Sequence, residues 1–362
     1  MNKLTRFAGI DLCRGLAAFA VILVHSGDET WGIPIDERAI QFRYLFYFAV
    51  PFFLAASFYF ATKKSPLNIS VSFWQKKFKR IIVPYLLWSV FYIISKSVIF
   101  VTSNNTSQIP HLLADPVAIV FFGGACYHLY FMPLLVSGTL LLSFANYFTK
   151  KQHSIRLLSL FSVLSIIIYQ LLLISNNSFD LGSYTAFPSL LARMQSESLG
   201  YSIQRIILVN IAWILRCLPY FFIAMLINQL FKKNNCTWLY QKQTTFLLLF
   251  IFLLVNSFGK NFLPDALIEI VIAYSLLLLG ISISNDIKNN ALITNLGLCS
   301  FGIYLIHPFI KSGVEIALIK ILPQLTQSVS IISMLAYSIF SFLVSWIFIS
   351  FLLKNKLFSQ YM

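Results

Sequence analysis

The feature that most constrains this chain is its succession of apolar segments, each about as long as a lipid bilayer is thick. A membrane-spanning helix needs roughly 20 predominantly apolar residues. Segments near that length lie at 7–26, 43–62, 81–102, 127–148, 156–174, 205–230, 244–259, 265–283, 293–314 and 328–353. Lipid offers no hydrogen-bond partners, so the backbone N–H and C=O groups of each segment must bond to one another, as they do in an α-helix. We therefore predict an all-α polytopic membrane protein with about ten transmembrane helices, formed by a single domain over residues 1–362.

Composition excludes the soluble classes of protein. Hydrophobic residues make up 58% of the chain and charged residues 11%. In soluble domains, roughly half of the residues are hydrophobic and roughly a quarter are charged. The formal net charge of +15 would suit a nucleic-acid-binding protein, but the basic residues fall in short clusters between apolar segments rather than on one patch. We predict no nucleic-acid partner. The five cysteines are scattered without a CxxC pair, which predicts neither a metal site nor a disulfide framework.

The same basic clusters predict the orientation of the chain, because loops that face the cytoplasm carry an excess of Lys and Arg. Alternate loops counted from the N terminus hold Lys3, Arg6, Lys63, Lys64, Lys76, Lys77, Lys79, Arg80, Lys150, Lys151, Arg156, Lys232, Lys233, Lys242, Lys288, Lys354 and Lys356. The intervening loops, which would face the other side of the membrane, hold fewer basic residues: Arg38, Arg43, Arg193, Arg205, Lys260 and, near the end of the ninth span, Lys311 and Lys320. We therefore predict that both termini are cytoplasmic.

The first apolar segment, GIDLCRGLAAFAVILVHSG, contains an arginine and a histidine that a simple membrane anchor would not need. A charged side chain at the bilayer centre costs about 3 kcal/mol or more, so Arg14 is a candidate functional residue. The eleven positions from Arg14 to His25 amount to about 20° from three full helical turns and about 16 Å along the axis. One helix would thus present both side chains on one face. The alternatives are that Arg14 snorkels to the headgroups or pairs with Asp11, and that His25 is an interfacial histidine.

Three further ionisable residues lie within or beside predicted spans. His128 in YHLYFMP begins the fourth span, at about the predicted depth of His25. His307 lies near the middle of the ninth span and precedes Pro308. Because proline lacks a backbone donor and disrupts a helix, we expect the ninth helix to be interrupted and to line a cavity. Arg80 directly precedes IIVPYLLW, where its alternative role is that of an anchor to inner headgroups.

These residues lie in stretches that resemble the membrane acyltransferase-3 family. IDLCRG, followed after ten intervening residues by His25, resembles the opening of that family. Further stretches resemble its later motifs in the same order: VPFFLAASF (Val50–Phe58), RIIVPYLLW (Arg80–Trp88), YHLYFM (Tyr127–Met132) and SFGIYLIHP (Ser300–Pro308). Two positions depart from the family pattern. Phe58 follows Ser57 where the family usually has glycine, and Tyr130 stands where it usually has tryptophan.

The resemblance implies an O-acyltransferase of the bacterial inner membrane. Its donor would be cytoplasmic acyl-CoA, by analogy acetyl-CoA, and its acceptor a hydroxyl of an extracytoplasmic sugar, cell-surface glycan or glycolipid. No metal cofactor is expected. The implied site comprises His25 and His128 as catalytic residues, Arg14 and Arg80 as ligands of the acyl-CoA, and Ser57, Tyr130, His307 and Glu315 as residues that line the substrate site or channel. Direct transfer and an acyl-histidine relay both remain open.

Two other functions fit a multi-span chain with buried ionisable residues. One is a transporter or flippase that uses the buried Arg and His in a substrate path. The other is a glycan polymerase or ligase, which usually has a large outer loop with catalytic Arg or His residues. The longest outer connections, 103–126 and 175–204, mix polar and aromatic residues and suit a cap over an outward-facing site.

Overall fold

The computed structural model describes residues 6–26, 35–64, 66–149, 154–193, 198–233, 236–287, 290–321 and 328–355. Ten long helical segments lie in this part of the chain and confirm the predicted all-α polytopic fold. Their bounds are α1 Ala8–Val24, α2 Glu37–Thr62, α3 Val71–Thr102, α4 Tyr127–Thr149, α5 Ser154–Ile174, α6 Leu199–Lys233, α7 Lys242–Phe258, α8 Asp265–Ser282, α9 Ala291–Ile321 and α10 Ile331–Leu352.

The lengths of these helices suit a bilayer. Among the described residues, nine of them are long and apolar enough to cross a membrane, where α7 is counted together with the 3₁₀ turn that continues it to Asn261. The tenth, α1, has 17 residues because it ends at Val24, with His25 as its C-cap. The orientation of the chain stays a prediction. Several lysines on which it depends lie outside the described residues, namely Lys3, Lys150, Lys151, Lys288 and Lys356.

Two of the ten helices contain irregular turns. In α2, a turn at 45–48 separates the α-helical pieces Glu37–Tyr44 and Ala49–Thr62. In α4, a 3₁₀ turn at Tyr127–Tyr130 precedes the α-helical piece Phe131–Thr139. A 3₁₀ helix is tighter than an α-helix and has three residues per turn. This 3₁₀ turn contains two of the predicted site residues, His128 and Tyr130.

One compact unit comprises residues Met1–Ala56, Asn235–Leu263 and Ile268–Met362. Within it, α1 packs against α8, α9 and α10 through small residues. A Cβ atom placed on Gly9 would lie 2.1 Å from the carbonyl oxygen of Gly280 in α8, and one placed on Gly15 would lie 2.3 Å from Leu296 in α9. Small residues at such contacts let helix backbones approach closely, which is how membrane helices gain packing energy.

The second compact unit comprises residues Ser57–Asn234 and Pro264–Leu267. Here α6 packs along α5 and also contacts α4. Phe58, which replaces the glycine usual in the family motif, is buried and lies against Gly138 of α4. A Cβ atom on Gly138 would lie 3.0 Å from the Phe58 ring and 2.6 Å from the Cys217 sulfur. The neighbouring helix therefore supplies the small residue that accommodates Phe58.

The two connections predicted to be the longest outer ones, 103–126 and 175–204, both contact Arg205 of α6 in the second unit. The Arg205 guanidinium is 2.6 Å from the Asp115 carboxylate in the first connection, and its Nε donates to a backbone carbonyl of the second at 2.9 Å. In the second connection, the Ser183 hydroxyl donates to Asp180 and, with two backbone N–H groups, lowers the pKa of that carboxyl. Arg205 thus has a structural role. That these connections cap a substrate site stays a prediction.

Candidate active site

Arg14 and His25 both belong to α1, as the sequence predicts. The helix runs without interruption from Ala8 to Val24, and the His25 N–H donates to the Val21 carbonyl at 3.3 Å. The interval between Arg14 and His25 is therefore helical. Helical geometry separates them by about 16 Å along the axis and places them on one face. Both side chains are half-buried.

The Arg14 guanidinium has the acidic partner that its spacing suggests. It lies 3.7 Å from the carboxylate of Asp11, whose side chain is 3% exposed, whereas that of Arg14 is 34% exposed. Arg6 donates to the same carboxylate and also to the Thr294 carbonyl of α9, at 3.0 Å. Two guanidinium groups share one carboxylate, so the cluster carries a net positive charge. Such a cluster suits a phosphate or another anion.

At the end of α1 that is opposite to Arg14, His25 contacts a second histidine, His307. The rings of His25 and His307 are stacked, with centroids 5.9 Å apart and an interplanar angle of 23°. His307 belongs to α9 and is fully buried. The sequence marks each histidine as a candidate but gives no sign that they are in contact. The structure therefore brings together one predicted catalytic residue and one predicted channel residue.

The expected interruption of α9 at Pro308 is wrong, because the helix is continuous from Ala291 to Ile321. Pro308 cannot donate the backbone hydrogen bond that the Tyr304 carbonyl would ordinarily accept. Instead, Nδ1 of His307 lies 2.7 Å from that carbonyl oxygen. A carbonyl only accepts hydrogen bonds, so Nδ1 carries the proton, and Nε2 of the neutral ring carries the lone pair. The imidazole replaces the missing amide donor and its tautomer is fixed.

Sequence reasoning missed Lys311, which it assigned to the outer-loop charges. Lys311 and Glu315 follow His307 by four and eight residues on α9. Residues at this spacing lie one above the other, so the three side chains start on the same side of the helix. The Lys311 side chain is 1% exposed. Its carbonyl accepts a hydrogen bond of 2.7 Å from the Tyr337 hydroxyl of α10. The spacing of four from a candidate histidine is the signal that would have identified this lysine.

The 3₁₀ turn of α4, in the second unit, holds His128 and Tyr130. His128 is 1% exposed, and its ring meets those of Tyr92 and Tyr127 edge to face, at centroid distances of 5.3 and 5.6 Å. Tyr130 stacks on Phe179 with centroids 6.0 Å apart. Tyr130, which stands where the resembled motif usually has tryptophan, thus stacks on another aromatic ring.

The remaining predicted site residues lie in the second unit as well. Ser57 is half-buried in α2, and Arg80 is exposed on α3. That Ser57, Arg80 and His128 act together with His25 stays a prediction.

Comparison with known proteins identifies the family. A family model described as an acyltransferase domain, Acyl_transf_3, matches residues 7–350. This match runs from the start of α1 into the last turn of α10 and therefore includes α1 to α9 and all but the last two residues of α10. No curated protein and no solved structure matches the chain. The chain is a multi-pass membrane acyltransferase and belongs to the membrane acyltransferase-3 family.

Proposed function

We propose that the protein transfers an acetyl group from cytoplasmic acetyl-CoA to a hydroxyl of a sugar, on a cell-surface glycan or glycolipid, at the other side of the bacterial inner membrane. One observation carries the proposal. A single helix, α1, has a cationic cluster near its start and a stacked histidine pair at its end, about 16 Å further along the axis. That distance is about half the hydrocarbon thickness of a bilayer.

The cationic end of α1 suits the donor. Coenzyme A carries phosphate groups, and arginine binds phosphate through paired, charge-assisted hydrogen bonds. Asp11 orients Arg14 and Arg6, while the exposed part of the Arg14 guanidinium remains accessible to an anion. Arg80 and the basic clusters predicted to face the cytoplasm add to the attraction of an anionic donor. The slender acyl-pantetheine arm would then extend along α1 toward His25.

The histidine end of α1 suits the chemistry of transfer. A neutral His25 removes the proton of the acceptor hydroxyl while the hydroxyl oxygen bonds to the thioester carbonyl carbon. The carbon–sulfur bond then breaks, and the coenzyme A thiolate takes the proton from the imidazolium. In the alternative relay, His25 itself carries the acetyl group before the acceptor attacks. As the family resemblance implies, His128 would be a second catalytic residue, and Ser57 and Tyr130 would line the substrate site or channel.

The proposed function is tested with everted membrane vesicles that contain the protein and receive acetyl-CoA labelled in the acetyl group. We expect base-labile label in the vesicle glycan and release of an equal amount of free coenzyme A thiol. Vesicles without the protein should show neither product. A transporter or flippase would also produce neither, so that result with wild-type protein would contradict acetyl transfer.

Arg14→Gln is expected to weaken the use of acetyl-CoA more than it slows the chemical step. Loss of a hydrogen bond to a charged group costs about 1.5–3 kcal/mol, which corresponds to a KM for acetyl-CoA about 10–150 times higher. Initial rates across a range of acetyl-CoA concentrations in the vesicle assay measure this. Arg38→Gln is the matched control, since Arg38 is exposed on α2 and does not belong to the basic clusters predicted to face the cytoplasm. A lower kcat with an unchanged KM would contradict donor binding by Arg14.

A further inference from the structure

We infer that Lys311 is a further catalytic residue, whose ammonium group stabilises the oxyanion that forms on the acyl carbonyl during transfer. This inference rests on the proposed function. It adds a third group to the histidine end of α1, beside His25 and His307.

The burial of Lys311 is the first observation. A lysine in a membrane helix ordinarily extends its flexible stem so that the ammonium group reaches water. Lys320, on the same helix, is exposed in that way, whereas Lys311 is 1% exposed. A cation held inside a membrane protein is costly, and such residues usually serve a function.

The position of Lys311 is the second observation. It follows His307 by one helical turn, which is about 6 Å along α9 and about 40° around it. The His307 ring is stacked on that of His25. The Tyr337 hydroxyl of α10 donates to the Lys311 carbonyl and holds this turn of α9 in place. The lysine side chain therefore starts within one turn of the histidine pair, on the same side of the helix.

The tautomer of His307 explains why a separate cation is needed. When the acceptor oxygen bonds to the thioester carbon, the carbonyl electron pair moves to the carbonyl oxygen, which becomes negatively charged. In neutral His307 the Nδ1–H already donates to the Tyr304 carbonyl, and Nε2 has no proton to donate. An ammonium group has three donors and a full positive charge. In a site that excludes water, such a group stabilises a developing oxyanion strongly.

Glu315 offers a competing explanation for the buried lysine. It lies one turn beyond Lys311, and the charges of the two side chains interact. Lys311 would then serve only to compensate a carboxylate within the protein. In the catalytic role that we infer, Glu315 is a positioning residue that holds the ammonium group. The two explanations predict different outcomes when both charges are removed.

The main test compares Lys311→Met with Lys320→Met in the vesicle assay. We expect Lys311→Met to lower kcat about 100- to 1000-fold, the usual effect of removing one oxyanion donor, with the KM for acetyl-CoA unchanged. Lys311→Arg, which keeps the positive charge, should recover part of the rate. Lys320→Met should match the wild-type protein. If Lys311→Met does not accumulate in the membrane, Lys311→Gln takes its place under the same criteria.

The double variant Lys311→Met/Glu315→Gln separates catalysis from charge compensation. A catalytic lysine predicts that the double variant stays as slow as Lys311→Met. Recovery of the wild-type rate would overturn the inference, as would a wild-type kcat in Lys311→Met or Lys311→Gln alone. Failure of the wild-type protein to transfer label would instead overturn the proposed function, so the two failures are distinguishable.

Discussion

His25→Ala is expected to abolish acetyl transfer while the protein remains folded and inserted in the membrane. Removal of a general base lowers rates about 100- to 10,000-fold, and loss of an acyl-carrying residue lowers them further. The effect on folding should be small because His25 follows the last residue of α1, and the substitution keeps the backbone N–H that donates to the Val21 carbonyl. The measurement is base-labile label in the glycan of everted vesicles, at equal amounts of protein.

His111→Ala is the matched control for this experiment. His111 is an exposed histidine on the four-residue helix Ile109–Leu112, and no role is predicted for it. Its removal should leave transfer at the wild-type rate. Unchanged acetyl-ester content in a well-expressed His25→Ala strain would exclude His25 as the catalytic residue.

Gly9→Ala is expected to lower the free energy of unfolding by about 1–3 kcal/mol, the usual cost of forcing extra volume into a packed interior. The added Cβ atom would lie 2.1 Å from the Gly280 carbonyl oxygen and 2.6 Å from the Ile283 side chain. A backbone oxygen cannot rotate away as a side chain can, so α1 would have to move away from α8. Because α1 also carries Arg14 and His25, transfer activity should fall together with stability. Thermal unfolding of the detergent-solubilised protein measures the change in stability.

Gly313→Ala provides the same substitution without the collision. Gly313 lies within α9, and a Cβ atom there would meet no atom within 4 Å. Alanine favours a helix over glycine by up to about 1 kcal/mol, so this variant should be as stable as the wild-type protein or slightly more so. A Gly9→Ala protein with the same unfolding temperature as wild type would contradict the close packing of α1 on α8.

Much of the fold could be predicted because lipid imposes one strong rule on the chain. Each predicted span contains one helix, and the differences are confined to the ends and to local turns. For example, α9 continues to Ile321 although the predicted span ends at residue 314. The spacing of Arg14 and His25 could likewise be interpreted from helical periodicity alone, because α1 is continuous between them.

The contacts between helices could not be predicted in this way. Periodicity indicates the face on which His25 lies, but the neighbour of that face depends on the packing of α1 against α9. The stacking of His25 on His307 is therefore a finding of the structure. Lys311 was misassigned for a related reason. A lysine near the end of an apolar segment counts as a loop charge in the positive-inside rule, and its burial appears only when neighbouring helices are in place.

The hydrogen bond between His307 and the Tyr304 carbonyl makes His307 and Pro308 a coupled pair. With Pro308 in place, loss of the imidazole leaves that buried carbonyl without the donor that now satisfies it. In a Pro308→Ala background, the backbone amide at position 308 can supply the donor, so a second substitution at position 307 should cost the helix less. A double-mutant cycle of thermal stability would register this as a non-additive interaction. Any effect on transfer that persists in that background then reports the chemistry of the ring rather than its support of the helix.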